Sequence, residues 1–200
     1  MTNTGFLATT GLDLEANYSL QGEDLGLRGA GGATINLIGT WLDTLATEPV
    51  PGQGTYDCAG LYGVVCGGPA PRWRHKLRVT WTTPWDWALS LAWRHLSAVD
   101  LDANTTNGFL NSACDGPCDD VPDARISSFD YLDAAIDWPL RAGVDLRTGV
   151  NNLFGKEPPP VDNVELGITG PSSPFSNVNS YPGSYDAFGR TNFVAATIKY

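Results

Sequence analysis

The stretch "RWRHKLRVTWTTPWDWALSLAWRHL" (72–96) carries two alternating runs around one turn. In the first run Trp73, Leu77, Val79 and Trp81 fall on one face, and Arg72, Arg74, Lys76, Arg78 and Thr80 fall on the other. In the second, Trp87, Leu89, Leu91 and Trp93 oppose Ala88, Ser90, Ala92 and Arg94. A period of two marks strands whose faces meet different surroundings. If the odd-numbered residues of both runs share a face, paired positions sum to an even number and the turn has odd length. A two-residue turn would swap the faces. The turn is then either Thr83-Pro84-Trp85, with Trp81 opposite Trp87, or Pro84-Trp85-Asp86, with Trp81 opposite Leu89.

Five more segments show the same period, and none has a helical one. "GLDLEANYSL" (11–20) sets Leu12, Leu14, Ala16, Tyr18 and Leu20 against Asp13, Glu15, Asn17 and Ser19. "ATINLIGTWLDTL" (33–45) places Ile35, Leu37, Trp41 and Leu45 opposite Thr34, Asn36 and Thr40, with Ile38 and Leu42 blurring the polar face. "FDYLDAAIDW" (129–138) sets Leu132, Ala134, Ile136 and Trp138 against Tyr131, Asp133 and Asp137, and "GVDLRTGVNNLF" (143–154) sets Val144, Leu146, Thr148 and Val150 against Asp145, Arg147 and Asn151. The closing "GRTNFVAATIKY" (189–200) puts Val194, Ala196, Ile198 and Tyr200 on one face. An alternating pattern that runs to the last residue needs a neighbour, because chain ends fray unless held.

The connections alternate in length. Residues 21–31, 83–86 and 139–143 are short turns, while about 47–71, 100–125 and 155–189 are long. In an antiparallel meander all short turns then lie at one end and all long loops at the other, the layout of outer-membrane barrels. The fold class expected is all-β: an antiparallel up-and-down meander of about seven long strands, a segment of a transmembrane β-barrel. Its polar faces would line a watery lumen and its apolar faces would meet lipid, with Trp81, Trp87 and Trp138 near the short-turn ends as an interfacial belt. A soluble sandwich also has period-two strands, but its connections need not alternate in length.

Charged residues make up 17% of the chain, below the roughly 25% of soluble domains, and its net charge is −10. That balance excludes nucleic acid as a partner, since phosphate binding needs a basic surface. No run approaches 18 apolar residues, so no transmembrane helix is expected, whereas a spanning strand needs only about 9–11 residues. Met1-Thr2-Asn3-Thr4 begins no signal peptide, so the chain is either cytosolic or preceded by a missing segment. The cysteines form close pairs in loop-like stretches, Cys58/Cys66 and Cys114/Cys118, which points to disulfides and an oxidising compartment. Zinc is the alternative, but His75 and His95 lie in strand-like runs, where they share the parity of Leu and Trp and read as interface residues.

No Gly-x-Ser-x-Gly elbow and no Ser/His/Asp set can be placed, so no catalytic residue is assigned and no cofactor is expected. Asp13 and Glu15 have the spacing of lumen-facing charges rather than of a glycosidase pair. Asp115, Asp119, Asp120 and Asp123 form a weak calcium candidate, against the simpler reading of a solvated acidic loop. "GAGG" (29–32) is no phosphate loop, because no Gly-Lys-Ser/Thr and no helix follows.

"NNLFGKEPP" (151–159) followed by "YPGSYDAFGR" (181–190) and a terminal strand ending in an aromatic resembles the C-terminus of TonB-dependent outer-membrane receptors. "NTGFLATTGLDLEANY" (3–18) and "CAGLYGVVCGGPAPRWRHKLR" (58–78) resemble earlier barrel strands and a cysteine-bearing loop of that family. Asn152, Leu153 and Phe154 match the motif that closes the penultimate strand. Tyr181, Pro182, Tyr185, Asp186, Gly189 and Arg190 match the run into the last strand, and Tyr200 takes the place of the terminal aromatic.

The resemblance implies a Gram-negative outer-membrane location and active uptake of a scarce nutrient of the siderophore-iron, cobalamin or carbohydrate class. It also implies contact with membrane lipid, recognition of the last strand by the barrel-assembly machinery, and TonB coupling through an N-terminal part this chain lacks. Family barrels have about twenty-two strands around a plug. Residues 1–200 are therefore expected to be a C-terminal portion, incapable of transport alone. The alternative is a stand-alone, disulfide-tied sandwich or miniature barrel acting as a binding or adhesion module.

Overall fold

All seven alternating segments are strands in the computed structural model, which describes residues 5–26, 29–110, 124–140, 143–161 and 180–198. The strands are β1 (Leu7–Gln21), β2 (Gly32–Thr47), β3 (Tyr56–Asp57), β4 (Leu61–Tyr62), β5 (Trp73–Thr82), β6 (Ala88–Leu96), β7 (Val99–Leu101), β8 (Arg125–Ile126), β9 (Phe129–Leu140), β10 (Val144–Asn151) and β11 (Thr191–Ile198). The main sheet runs β1-β2-β5-β6-β9-β10-β11, with β3 added beside β2. Every neighbouring pair along it is antiparallel and joined by the intervening chain, so the sheet is an up-and-down meander. Among the described residues β1 and β11 do not pair with each other, and each keeps one free edge.

Register carries the apolar face across the whole sheet. One row passes from Tyr18 to Ile35, Val79, Leu91, Ala134 and Val150. The adjacent row passes from Leu20 to Ala33, Trp81, Leu89, Ile136 and Thr148, ending on Val194. A one-residue slip anywhere would send every later strand to the wrong face, so seven agreeing strands fix the register collectively. This face is open. Leu12 and Val194 are each 73% exposed at the two edges, and Leu91 in the centre is 44% exposed. No second layer covers it among the described residues, as a sandwich would require.

The β5–β6 turn takes the second of the two registers the alternation allows. Trp81 faces Leu89 and Thr82 faces Ala88, so Thr83 and Trp87 flank the loop Pro84-Trp85-Asp86. The Thr83 amide donates to the Trp87 carbonyl at 2.9 Å. Asp86 closes the turn with φ 65°, the left-handed position a three-residue hairpin needs and one that Asp tolerates.

One assignment is corrected. The alternation puts Leu45 on the face of Ile35, Leu37 and Trp41, but β2 carries a bulge. Thr10 pairs Thr44 while Gly11 pairs Leu42, leaving Asp43 as the extra residue. Leu45 then pairs Thr9 and turns to the polar face.

The long connections are not loose. β4, β7 and β8 form a second, three-stranded sheet, with β4 parallel to β7 although the two come from different loops. Tyr62, Val99, Leu101, Ala103 and Ile126 pack there with Val161 and Tyr185 of the third loop, against Leu96 and Phe129 at the strand ends. Leu96 and Phe129 belong to the polar parity, so this core lies at the long-loop end of the polar face. The described disulfide, Cys58–Cys66, is within the first of these loops.

Candidate functional site

The polar face and the loop cluster above it form the candidate site. On β5, Arg74, Lys76 and Arg78 project from alternate positions of this face. Arg94 stands across from Lys76. Its guanidinium makes a two-pronged contact with Asp133, from Nε at 2.8 Å and Nη2 at 3.0 Å. It makes a second one with Asp186, from Nη1 at 3.0 Å and Nη2 at 2.6 Å, and lies 4.8 Å from the Tyr131 ring centroid. Planar paired contacts of this kind suit Arg and not Lys. One cation thereby ties β6, β9 and the third loop together.

The sequence-assigned motif residues converge on that cation. Asn152 is buried with φ 53° just beyond β10. Its side chain bonds both the amide and the carbonyl of Lys156 at 2.8 Å, and its own amide donates to Asp133 at 2.9 Å. The Leu153 amide donates to the Leu132 carbonyl at 2.7 Å. Asp186 reaches Arg94, and its amide donates to the Tyr131 hydroxyl at 3.2 Å. Tyr185 sits in the loop core against Phe129 at 5.0 Å between ring centroids, and Tyr181 meets Tyr62 edge-on at 6.0 Å. Pro182 and Gly189 line a cavity of about 410 Å³ shared with Lys76, Arg94 and Asp133. Arg190 directly precedes β11. Phe154, by contrast, stands exposed. Tyr200 lies outside the described residues, as do Cys114, Cys118, Asp115, Asp119, Asp120 and Asp123.

Asp102, which the sequence reading does not single out, locks the first long loop to the second. It is buried beside β7 and accepts the amides of Val65 and Cys66 at 2.9 Å each. A Cβ on Gly63 would stand 2.1 Å from the Asp102 carboxylate, so only glycine permits the approach. Burial pushes the Asp102 carboxyl above its ordinary range, opposed by these amide bonds. Burial also pushes the Tyr185 phenol up to about 12, helped by Tyr131 and Tyr181.

The outward face carries a polar cluster at its long-loop end. His75 pairs with His95, their rings stacked at 5.2 Å, and His95 pairs with Asp130. Trp73 donates to His75 Nδ1 at 2.9 Å, while Trp93 and His95 each meet Asp130 at 2.7 Å. The Trp73 indole fills the space over Gly39, where a Cβ would be 2.5 Å from the ring. At the opposite end Trp81, Trp85 and Trp87 cluster at the turn, and exposed Trp138 sits near the end of β9. Trp73 and Trp81 are eight residues apart on one strand. That is roughly 27 Å along β5, or roughly 20 Å of depth for a strand tilted by about 40°. Two aromatic girdles at that separation match an apolar band of about 25 Å.

A single sheet that exposes its apolar face between two aromatic girdles, with its loops gathered over the polar face, is the wall of a transmembrane β-barrel. The family model described as TonB dependent receptor-like, beta-barrel matches residues 2–153. The chain belongs to the TonB-dependent receptor-like β-barrel family, whose members are outer-membrane receptors and transporters of Gram-negative bacteria rather than enzymes. No curated protein and no solved structure matches it.

Arg94 and Asp133 escaped the sequence reading as a pair, although both have polar-face parity. The signal was available once β6 and β9 were set side by side, since Ala92 pairs Asp133 and places Arg94 diagonally next to it. Asp102 had no such signal, because its partners come from another loop.

Proposed function

We propose that this chain is an arc of the barrel wall of a TonB-dependent outer-membrane receptor that takes up a scarce nutrient of the siderophore-iron, cobalamin or carbohydrate class. The observation that carries the reading is the unbroken apolar row from Tyr18 to Val150, open to its surroundings while the buried core lies among the loops. In this role the polar face lines the lumen. The cluster of β4, β7 and β8 with Tyr181 and Tyr185 forms part of the extracellular mouth.

Seven long strands with two free edges are fewer than the eight of the smallest outer-membrane barrels, so transport requires further strands. The residues Asn152, Leu153, Phe154, Tyr181, Pro182, Tyr185, Asp186, Gly189, Arg190 and Tyr200 serve as the family's closing motif, through which the barrel-assembly machinery receives the last strand. TonB acts through the N-terminal part of such a receptor. The test is to substitute the chain for the corresponding strands of a family receptor. Recovery of a folded barrel in the outer-membrane fraction, with nutrient uptake dependent on TonB, supports the reading. Recovery of the chimera as a folded water-soluble protein contradicts it.

A further inference from the structure

Charge is distributed unevenly on the lumenal face. The chain has a formal net charge of −10, yet Arg74, Lys76 and Arg78 stand in one column on β5 with no acidic residue directly opposite them on either neighbouring strand. Their cross-strand neighbours on β2 are Thr40, Ile38 and Asn36. On β6 they are Leu96, Arg94 and Ala92. Arg94 is already held by Asp133 and Asp186. Asp13 accepts the Thr40 hydroxyl on the far side of β2 at 2.8 Å, and Glu15 accepts Asn17 at 3.2 Å. Among the described residues none of the three column cations forms an ion pair. Like charges on one strand face repel, and an anion bound among them would relieve that repulsion.

The surroundings suit a small occupant. Lys76 lines the cavity of about 410 Å³ with Phe188, which is 91% exposed, and with Arg94, whose two carboxylate partners Asp133 and Asp186 also line it. Arg74 and Lys76 line a second space of about 390 Å³, bounded by Ile38, Thr40 and Ser184. Ile38 is 59% exposed on the polar face. The column offers three positive charges at steps of about 7 Å, flanked by an exposed aliphatic and an exposed aromatic side chain.

We propose that Arg74, Lys76 and Arg78 form a binding site for a small polyanion with a flat apolar body, held against the lumenal wall beneath the loop cluster. This rests on the reading of the polar face as a barrel lumen. It narrows the nutrient to one presenting several carboxylate, phosphate, sulfonate or catecholate oxygens. Guanidinium groups at either end of the column engage such oxygens through paired N–H bonds, and the central ammonium supplies a point charge.

The test uses the full chain in uncharged detergent micelles, with pyrenetetrasulfonate as the probe and pyrenemethanol as its neutral counterpart, read by fluorescence anisotropy. The wild type binds the sulfonate, and more weakly as salt shortens the range of the interaction below about 10 Å. The R74Q/K76Q/R78Q variant loses about tenfold or more in affinity, whereas R74K/R78K, which keeps the charge but not the paired N–H bonds, falls between it and the wild type. Binding of pyrenemethanol is the same in all three. The triple variant melts at the same temperature as the wild type or higher, because clustered like charges have been removed.

Equal sulfonate binding by wild type and triple variant overturns the proposal. So does absence of binding while the strand signal in circular dichroism is intact, which would turn the column toward an acidic protein surface inside the barrel. A triple variant that unfolds at lower temperature gives the cations a structural role and likewise overturns it. Loss of the strand signal in the wild type refutes the lumenal reading itself, and the anion site with it.

Discussion

Leu91 and Leu101 are the same residue type, ten positions apart, in strands of the same chain. Leu91 in the middle of the main sheet is 44% exposed, while Leu101 in the short β7 is 1% exposed. The contrast is general. Among the described residues, the large side chains that are fully buried belong, apart from Tyr131, to the connections: Tyr62, Leu101, Leu110, Val99, Asn152 and Asp102. A water-soluble fold reverses this order, burying one face of its main sheet and leaving its loops open. The two regions therefore answer to two solvents. The loop cluster excludes water by packing protein on protein, and the sheet excludes it with lipid.

The largest effect that separates the regions is cavity formation. Leu101→Ala is expected to cost the loop cluster about 2–5 kcal/mol, because the vacated volume cannot collapse around Val99 and Ile126. Leu91→Ala removes a lipid contact and opens no cavity, so its effect is much smaller. Limited proteolysis of the chain in micelles reads both: the first variant is cut in its long loops, the second keeps the wild-type pattern.

Charge insertion sharpens the same comparison in the opposite sense. Leu91→Arg on the apolar face should destabilise the inserted sheet by about 2–4 kcal/mol, while Thr80→Arg, on the polar face opposite Ser90, changes it little. Urea unfolding from lipid vesicles measures the pair. Equal costs for the two variants would mean that the faces meet the same medium.

Much of this division was legible in the sequence, and part was not. Period two and the alternation of short and long connections mark all seven strands, their partners and, short of the bulge in β2, their faces, since both are local properties of the chain. Parity also narrowed the β5–β6 turn to two registers, and Asp86 in its left-handed conformation decides between them. The bulge at Asp43 was hidden, because "TWLDTL" alternates as well with an extra residue as without one. The loop cluster was hidden more deeply. Asp102 in "VDLDAN" looks solvated, and only docking of the disulfide-tied loop supplies the Val65 and Cys66 amides. Arg94 finds Asp186 across 92 residues of chain, a separation over which no local pattern operates.

Those hidden contacts yield the smaller effects. Asp102→Ala leaves the Val65 and Cys66 amides without their acceptor and should loosen the loops by about 1–3 kcal/mol. Asp102→Asn keeps an acceptor oxygen and should cost less. Hydrogen exchange at the two amides distinguishes the variants, with fast exchange only in the alanine form.

Titration gives the last contrast. The Tyr185 phenol rises from its ordinary 10.0 to about 12 on folding, so its contribution to loop stability is complete below pH 10 and is lost as the pH climbs to about 12. The Asp102 carboxyl is also raised, so its contribution is greatest below the ordinary value of 3.8 and declines as the pH passes through its raised value. Alkali should thus open the loops to protease while the strand signal persists, and Tyr185→Phe should remove the Tyr185 part of that sensitivity.

Tryptophan fluorescence in vesicles of brominated phospholipid tests the central claim most directly, because Trp41, Trp73, Trp81, Trp93 and Trp138 all belong to the apolar face of the sheet. The account predicts strong quenching by bromine on the acyl chains and weak quenching by acrylamide from the water. Strong acrylamide quenching with no response to bromine would place that face in water and contradict it.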